Sequence, residues 1–105
     1  MKRTKNMTVN PTTESNELFL YAVNTGRLYQ QVISVVRNLA RKYRKGIYDP
    51  DRARDAYYPI ACEAAKLYQH EYCSPGDSIF SVSDRFTAAA EMEEYYRENV
   101  INDDL

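Results

Sequence analysis

The sequence predicts an all-α fold, a small bundle of three to four helices with flexible termini. Apolar residues recur at helical spacing along most of the chain, and helix-starting and helix-stopping residues bracket those runs. No convincing strand pattern appears beyond the four residues around Ile79-Phe80. A chain of 105 residues can bury one modest core and is too short for two. Residues 1–13 read as a flexible N-terminal arm, 14–100 as a single helical domain and 101–105 as a C-terminal tail.

The first helix is expected in "SNELFLYAVNTG". Ser15 or Asn16 is its cap, Glu17 its first-turn acid, and Leu18, Phe19, Tyr21 and Ala22 its apolar residues. Gly26 can close this helix, or merely weaken one long helix, because a single Gly costs only about 1 kcal/mol there. The second helix lies in "RLYQQVISVVRNLARKYRKG", with Leu28, Val32, Val35, Val36, Leu39 and Tyr43 inward and Gly46 just past its end. Asp49 then caps a third helix whose first residue is Pro50, where a missing N–H costs nothing. Ala53, Ala56, Tyr57, Ile60, Ala61, Ala64, Leu67, Tyr68 and Tyr72 form its stripe, and Pro59 inside it is expected to kink the axis. "CSPGDS" is a turn. Ser81 with Asp84, or Ser83 alone, starts the last helix, which points Phe86, Ala89, Ala90, Met92, Tyr96 and Val100 inward.

Several function classes are disfavoured at this level. No apolar run reaches the about 18 residues that a membrane span needs, and the basic start has no apolar segment behind it, so it is not a secretory signal. Cys62 and Cys73 would stand about 16 Å apart on one helix, beyond the reach of a disulfide. They are expected to be free thiols, which points to a cytoplasmic location. His70, Cys73 and Cys62 lack the paired spacing of a zinc site, so no metal or cofactor is expected. His70 is the sole histidine, and nothing nearby supplies an orienting acid and an oxyanion hole. The carboxylates of "EMEEYYREN" read as a solvated face, and the three glycines form no phosphate loop. The expectation is a protein that is not an enzyme.

Charge is the more informative signal. The net charge of −1 hides eleven Lys/Arg against four Asp/Glu in residues 1–54 and three against eleven in residues 55–105. Such asymmetry suits charged partners or head-to-tail self-association. The densest cluster lies in "RKYRKGIYDPDRARDAYY". Cations complement a helix C-terminus, yet Arg37, Arg41, Lys42, Arg44 and Lys45 exceed what that end requires. With Arg52 and Arg54 across the turn, seven cations face only Asp49 and Asp51. Tyr48 and Tyr58 beside them could stack on bases or anchor a protein interface. Adjacent helical residues cannot share a face, so Tyr58 and Tyr95 are the expected exposed members of their tyrosine pairs. A pI near 5.8 disfavours a dedicated nucleic-acid binder, and "KGIYDPD" is too long and acidic for a helix-turn-helix turn.

"ELFLYAVNTGRLY", "NLARKYRKGIYDPDRARDAYYPIACEAAKLYQHEY" and "RFTAAAEMEEYY" together resemble a recurring pattern in small phage, prophage and plasmid proteins, covering most of Glu17 to Tyr96. The resemblance carries over no catalytic residue. It implies a mobile-element context, in which proteins of this size are often anti-defence factors, including anti-CRISPR inhibitors that block an effector complex by binding it. The resulting expectation is an interaction protein that occludes a host protein or ribonucleoprotein complex through Arg37, Arg41, Lys42, Arg44, Lys45, Tyr48, Arg52, Arg54 and Tyr58. The alternative is a DNA- or RNA-binding accessory protein using the same patch.

Overall fold

A computed structural model describes residues 12–72 and 80–101. Four α-helices run in order, α1 (Thr13–Asn24), α2 (Gly26–Arg44), α3 (Pro50–Tyr72) and α4 (Val82–Tyr96), and a short π-helix (Arg97–Ile101) continues α4. No strand occurs among the described residues. The all-α bundle expected from the spacing is the fold observed. Residues 1–11 of the N-terminal arm, the turn before Phe80, Cys73 and the last four residues lie outside the described residues, whereas Thr12 and Thr13, assigned to the arm, begin α1.

Local chemistry sets the ends of each helix. The start of α1 falls earlier than expected: Thr12 is the cap, and Ser15 completes a reciprocal pair with it. The Ser15 N–H donates to Thr12 Oγ1 at 3.0 Å, and the Thr12 N–H donates to Ser15 Oγ at 2.8 Å. A serine at the third position thus does the work usually given to Glu or Gln. Thr25, extended at φ −98° and ψ 114°, separates α1 from α2, and Gly26 opens α2 where it was expected to close α1. At the other end of α2, Gly46 adopts φ 75°. Its N–H donates to the Tyr43 carbonyl and the Ile47 N–H to the Lys42 carbonyl, both at 3.0 Å, which is the Schellman closure. Asp49 caps α3 through a 3.0 Å bond from the Asp51 N–H, and Ser81 with Asp84 forms the capping box of α4. Helix α3 continues unbroken through Pro59, which faces solvent, where water can satisfy the carbonyl left without its donor.

The core gathers Leu18 and Ala22 from α1, Leu28, Val32, Val36 and Leu39 from α2, and an alanine-rich face of α3 against another on α4. Ala53, Ala61 and Ala64 of α3 and Ala88 and Ala89 of α4 are all buried in this core, side chains small enough for close helix packing, while the rings of Tyr57 and Tyr96 stack 6.2 Å apart. Each fully buried Leu or Val contributes about 1.5–3 kcal/mol. Three inward assignments are corrected, the first being Tyr72, which was placed in the α3 stripe and is 64 % exposed at the helix end. Phe86 is 54 % exposed and stacks on Tyr58 at 4.4 Å, because Ala88 and Ala89 occupy the face that meets α3. Tyr43 lies beyond Leu39, the last buried residue of α2, and is exposed with its ring edge-on to Tyr48. Outside the core, the Tyr21 hydroxyl donates to Glu71 and the Tyr68 hydroxyl to Glu17, at 2.9 and 2.8 Å, pinning α1 to the far half of α3.

The two glycines bounding α2 should respond oppositely to alanine. Gly46→Ala meets no atom within 4 Å but forces a side chain into the left-handed region, and should cost about 1 kcal/mol. Gly26→Ala sits at an open helical position without that strain and should gain about 0.5–1 kcal/mol. Urea denaturation of both variants, with unchanged slope, checks the pair.

Candidate functional site

Nine residues read from the sequence as one patch divide into four environments. Arg37, Arg41 and Arg44 project along one side of α2 and line a groove of about 440 Å³ with Ile33, Val36 and Ala40. The opposite wall is Val100 and Ile101 of the π-helix. Lys42 and Lys45 are exposed beside it. The groove therefore has an aliphatic lining and a row of guanidinium groups.

Those cations have no ion-pair partner among the described residues. The ion pairs among the described residues are Arg27–Glu63, Arg52–Asp49, Arg54–Asp51, Arg54–Glu93 and Arg97–Glu93. None involves Arg37, Arg41, Lys42, Arg44 or Lys45, and the one side-chain hydrogen bond from this group among the described residues is a 3.5 Å contact from Arg41 to Asn38. The acidic half of the chain thus does not fold onto the basic end of α2 in the described residues. Five like charges on the last turns of one helix repel one another, and an anionic partner would relieve that repulsion.

Arg52, Arg54, Tyr48 and Tyr58 have other roles. Arg52 is held near its own helix start by Asp49 at 3.8 Å. Tyr58 is stacked against Phe86 on the α3–α4 side. Tyr48 and Arg54 turn inward toward Glu93, whose side chain is fully buried. Glu93 Oε2 accepts from the Tyr48 hydroxyl at 2.9 Å and from Arg97 Nε at 2.6 Å, while Oε1 faces Arg97 Nη2 at 3.4 Å and Arg54 Nε at 3.9 Å. One carboxylate therefore joins the α2–α3 linker, the first turns of α3 and the start of the π-helix.

This corrects the reading of "EMEEYYREN" as a solvated face. Glu93 is at the centre of a charged cluster, and Glu91 has one oxygen buried without a hydrogen-bond partner, with burial pushing its carboxyl above the usual range. The same cluster builds the groove. Arg97 anchors the π-helix, and the i→i+5 bonding of that helix brings Ile101 round to continue the buried stripe ending at Tyr96. Ile101, assigned to the tail from the sequence, is buried. The residues that sequence reasoning missed are Glu93, Ile33, Val100 and Ile101. Of these only Ile33 had a usable signal, standing four residues before Arg37 on the same side of α2.

His70 is exposed, Cys62 is a half-buried free thiol, and the described residues contain no group of three side chains able to hold a metal. Among the described residues no helix is long and apolar enough to cross a membrane. Comparison with known protein families, with curated proteins and with solved structures found no match to this chain.

The polar cluster has a consequence at high pH. Burial, reinforced by Glu93, pushes the Tyr48 hydroxyl well above its ordinary pKa of 10.0. Burial does the same to Tyr57, whose hydroxyl has no hydrogen-bond partner, and raises Tyr96 to about 12. Above about pH 10 the unfolded chain releases protons that the folded chain retains, so stability falls as pH rises, by up to about 1.4 kcal/mol per pH unit for each tyrosine. Stability should stay level from neutral pH to about 9 and then fall. In a titration followed by tyrosinate absorbance, these three of the ten tyrosines should ionise only as the helical signal is lost.

Proposed function

We propose that this chain is a non-enzymatic binding module whose α2 arginine face docks an acidic segment of a partner protein. The observation that carries the reading is the row Arg37, Arg41 and Arg44, without an ion pair among the described residues, along a groove of aliphatic side chains. Arginine beside apolar surface is the composition of energetic hot spots in protein interfaces, where a bidentate guanidinium–carboxylate bond is strengthened by its dry surroundings. The nucleic-acid alternative has less support. It needs aromatic rings free to stack on bases, and Tyr48 and Tyr58 are held by Glu93 and Phe86. An aliphatic floor also matches no part of a phosphate backbone. That the partner belongs to a host defence complex, with binding as inhibition of the anti-CRISPR kind, rests on the mobile-element resemblance alone.

The test is affinity capture from bacterial lysate with the tagged wild-type chain and with Arg41→Glu/Arg44→Glu, each with and without nuclease. A protein that survives nuclease and binds the double variant on the order of 100-fold more weakly supports the proposal. Circular dichroism should show the same helix content in both chains, because neither side chain is in the core. Capture that is equal for both chains contradicts the proposal. Capture abolished by nuclease would transfer the arginine face to nucleic-acid binding.

A further inference from the structure

A second groove, of about 400 Å³, opens beside the first. Phe19, Leu20 and Val23 of α1 form one wall, Tyr95 and Tyr96 another, and Tyr29 and Val100 close it. It has no charged lining residue, and three of its side chains are large apolar groups left in solvent: Leu20 at 46 %, Tyr29 at 43 % and Tyr95 at 47 % exposed. Two features join the grooves. Val100 lines both. Tyr29, Ile33, Arg37, Arg41 and Arg44 also follow one another three or four residues apart, so they form one stripe along α2.

We propose that the two grooves are a single trough that receives one amphipathic helix of the partner, apolar at its first-groove-distal end and acidic where it reaches Arg41 and Arg44. This deepens the function proposed above and rests on it. The length follows from α2: fifteen residues separate Tyr29 from Arg44, about 22 Å of helix, so the occupant is a helix of about four turns. Its chemistry follows from the lining. A carboxylate placed among Phe19, Tyr29 and Tyr95 would lose its water and meet no cation, so that end takes aliphatic or aromatic side chains. At the other end the same carboxylate meets Arg37, Arg41 and Arg44. The described residues contain no sheet edge to pair with an extended peptide, whereas a helix arrives with its own backbone bonds made.

The probe is a synthetic helical peptide of about 15 residues, with Leu and Phe spaced i, i+4 in one half and Glu at that spacing in the other. It is made in both orders along the chain, because the trough does not fix helix direction. Fluorescence anisotropy against the full chain should show binding of one order. That binding should weaken by at least about ten-fold in Leu20→Glu and, separately, in Arg41→Glu/Arg44→Glu. Tyr29→Ser serves as a second, uncharged lesion of the apolar end should Leu20→Glu lose its helical signal. Binding that needs the arginines but ignores both Leu20→Glu and Tyr29→Ser overturns the trough and leaves the arginine face standing. Binding that ignores the arginines sinks the function proposed above as well. Failure of both peptide orders overturns the trough. So does sedimentation showing that a second copy of the chain fills it.

Discussion

A carboxylate with no access to water joins the outer elements of this protein. Removing Glu93 from solvent costs several kcal/mol, which the fold recovers through Arg97, Tyr48 and the nearby Arg54. The arrangement stabilises only as a set. Loss of the carboxylate would leave two arginines and a tyrosine hydroxyl facing a space shaped for their partner, a penalty of about 3–5 kcal/mol when one member of a buried pair is deleted. The alanine-rich seam between α3 and α4 and the aliphatic stripe of α2 form an ordinary core. The linker after α2 and the π-helix after α4 depend on Glu93.

That dependence links stability to the surface. The π-helix supplies Val100 to both grooves and Ile101 to the arginine groove. On the other side, Tyr48 holds the linker that follows the cationic end of α2, with its ring against Tyr43. Both walls of the arginine groove are thus attached to one buried group. Among the described residues no acid pairs with these arginines: Glu63 lies with Arg27, Glu71 with Tyr21, Glu17 with Tyr68, and Glu93 with Arg97. The charge imbalance between the two halves is therefore retained at this surface among the described residues.

Much of the fold was legible because it is written in local chemistry. The α2 stripe, the left-handed Gly46, the Asp49-Pro50 start and the Ser81–Asp84 box each depend on a few neighbouring residues, and each is found where spacing placed it. Apart from the Thr12–Ser15 start of α1 and the place of Gly26, which are local, what failed depended on distant partners. Glu93 is one acid in an acidic run, and nothing local distinguishes it from Glu94; its burial is decided by Tyr48, forty-five residues earlier, and by Arg54. Phe86 was assigned inward with the other apolar residues of its helix, although the buried positions beside it are Ala88 and Ala89 and its own ring stays exposed against Tyr58. The cationic patch was visible as composition, but its division into a groove, a helix-start pair, a stacked ring and a buried cluster required the fold. Arg54 and Tyr48 show the cost of reading a patch from proximity in sequence.

Amide hydrogen exchange of the wild-type chain and of Glu93→Gln tests this account most directly, because the variant keeps the shape of the side chain and removes its charge. Protection should fall first and furthest in the π-helix and in residues 45–49, while the core turns of α2 and α3 keep theirs. Protection unchanged everywhere would mean that the carboxylate is not what holds the groove walls. Uniform loss across all four helices would contradict the account from the other side, making Glu93 a support of the whole core rather than of the binding surface.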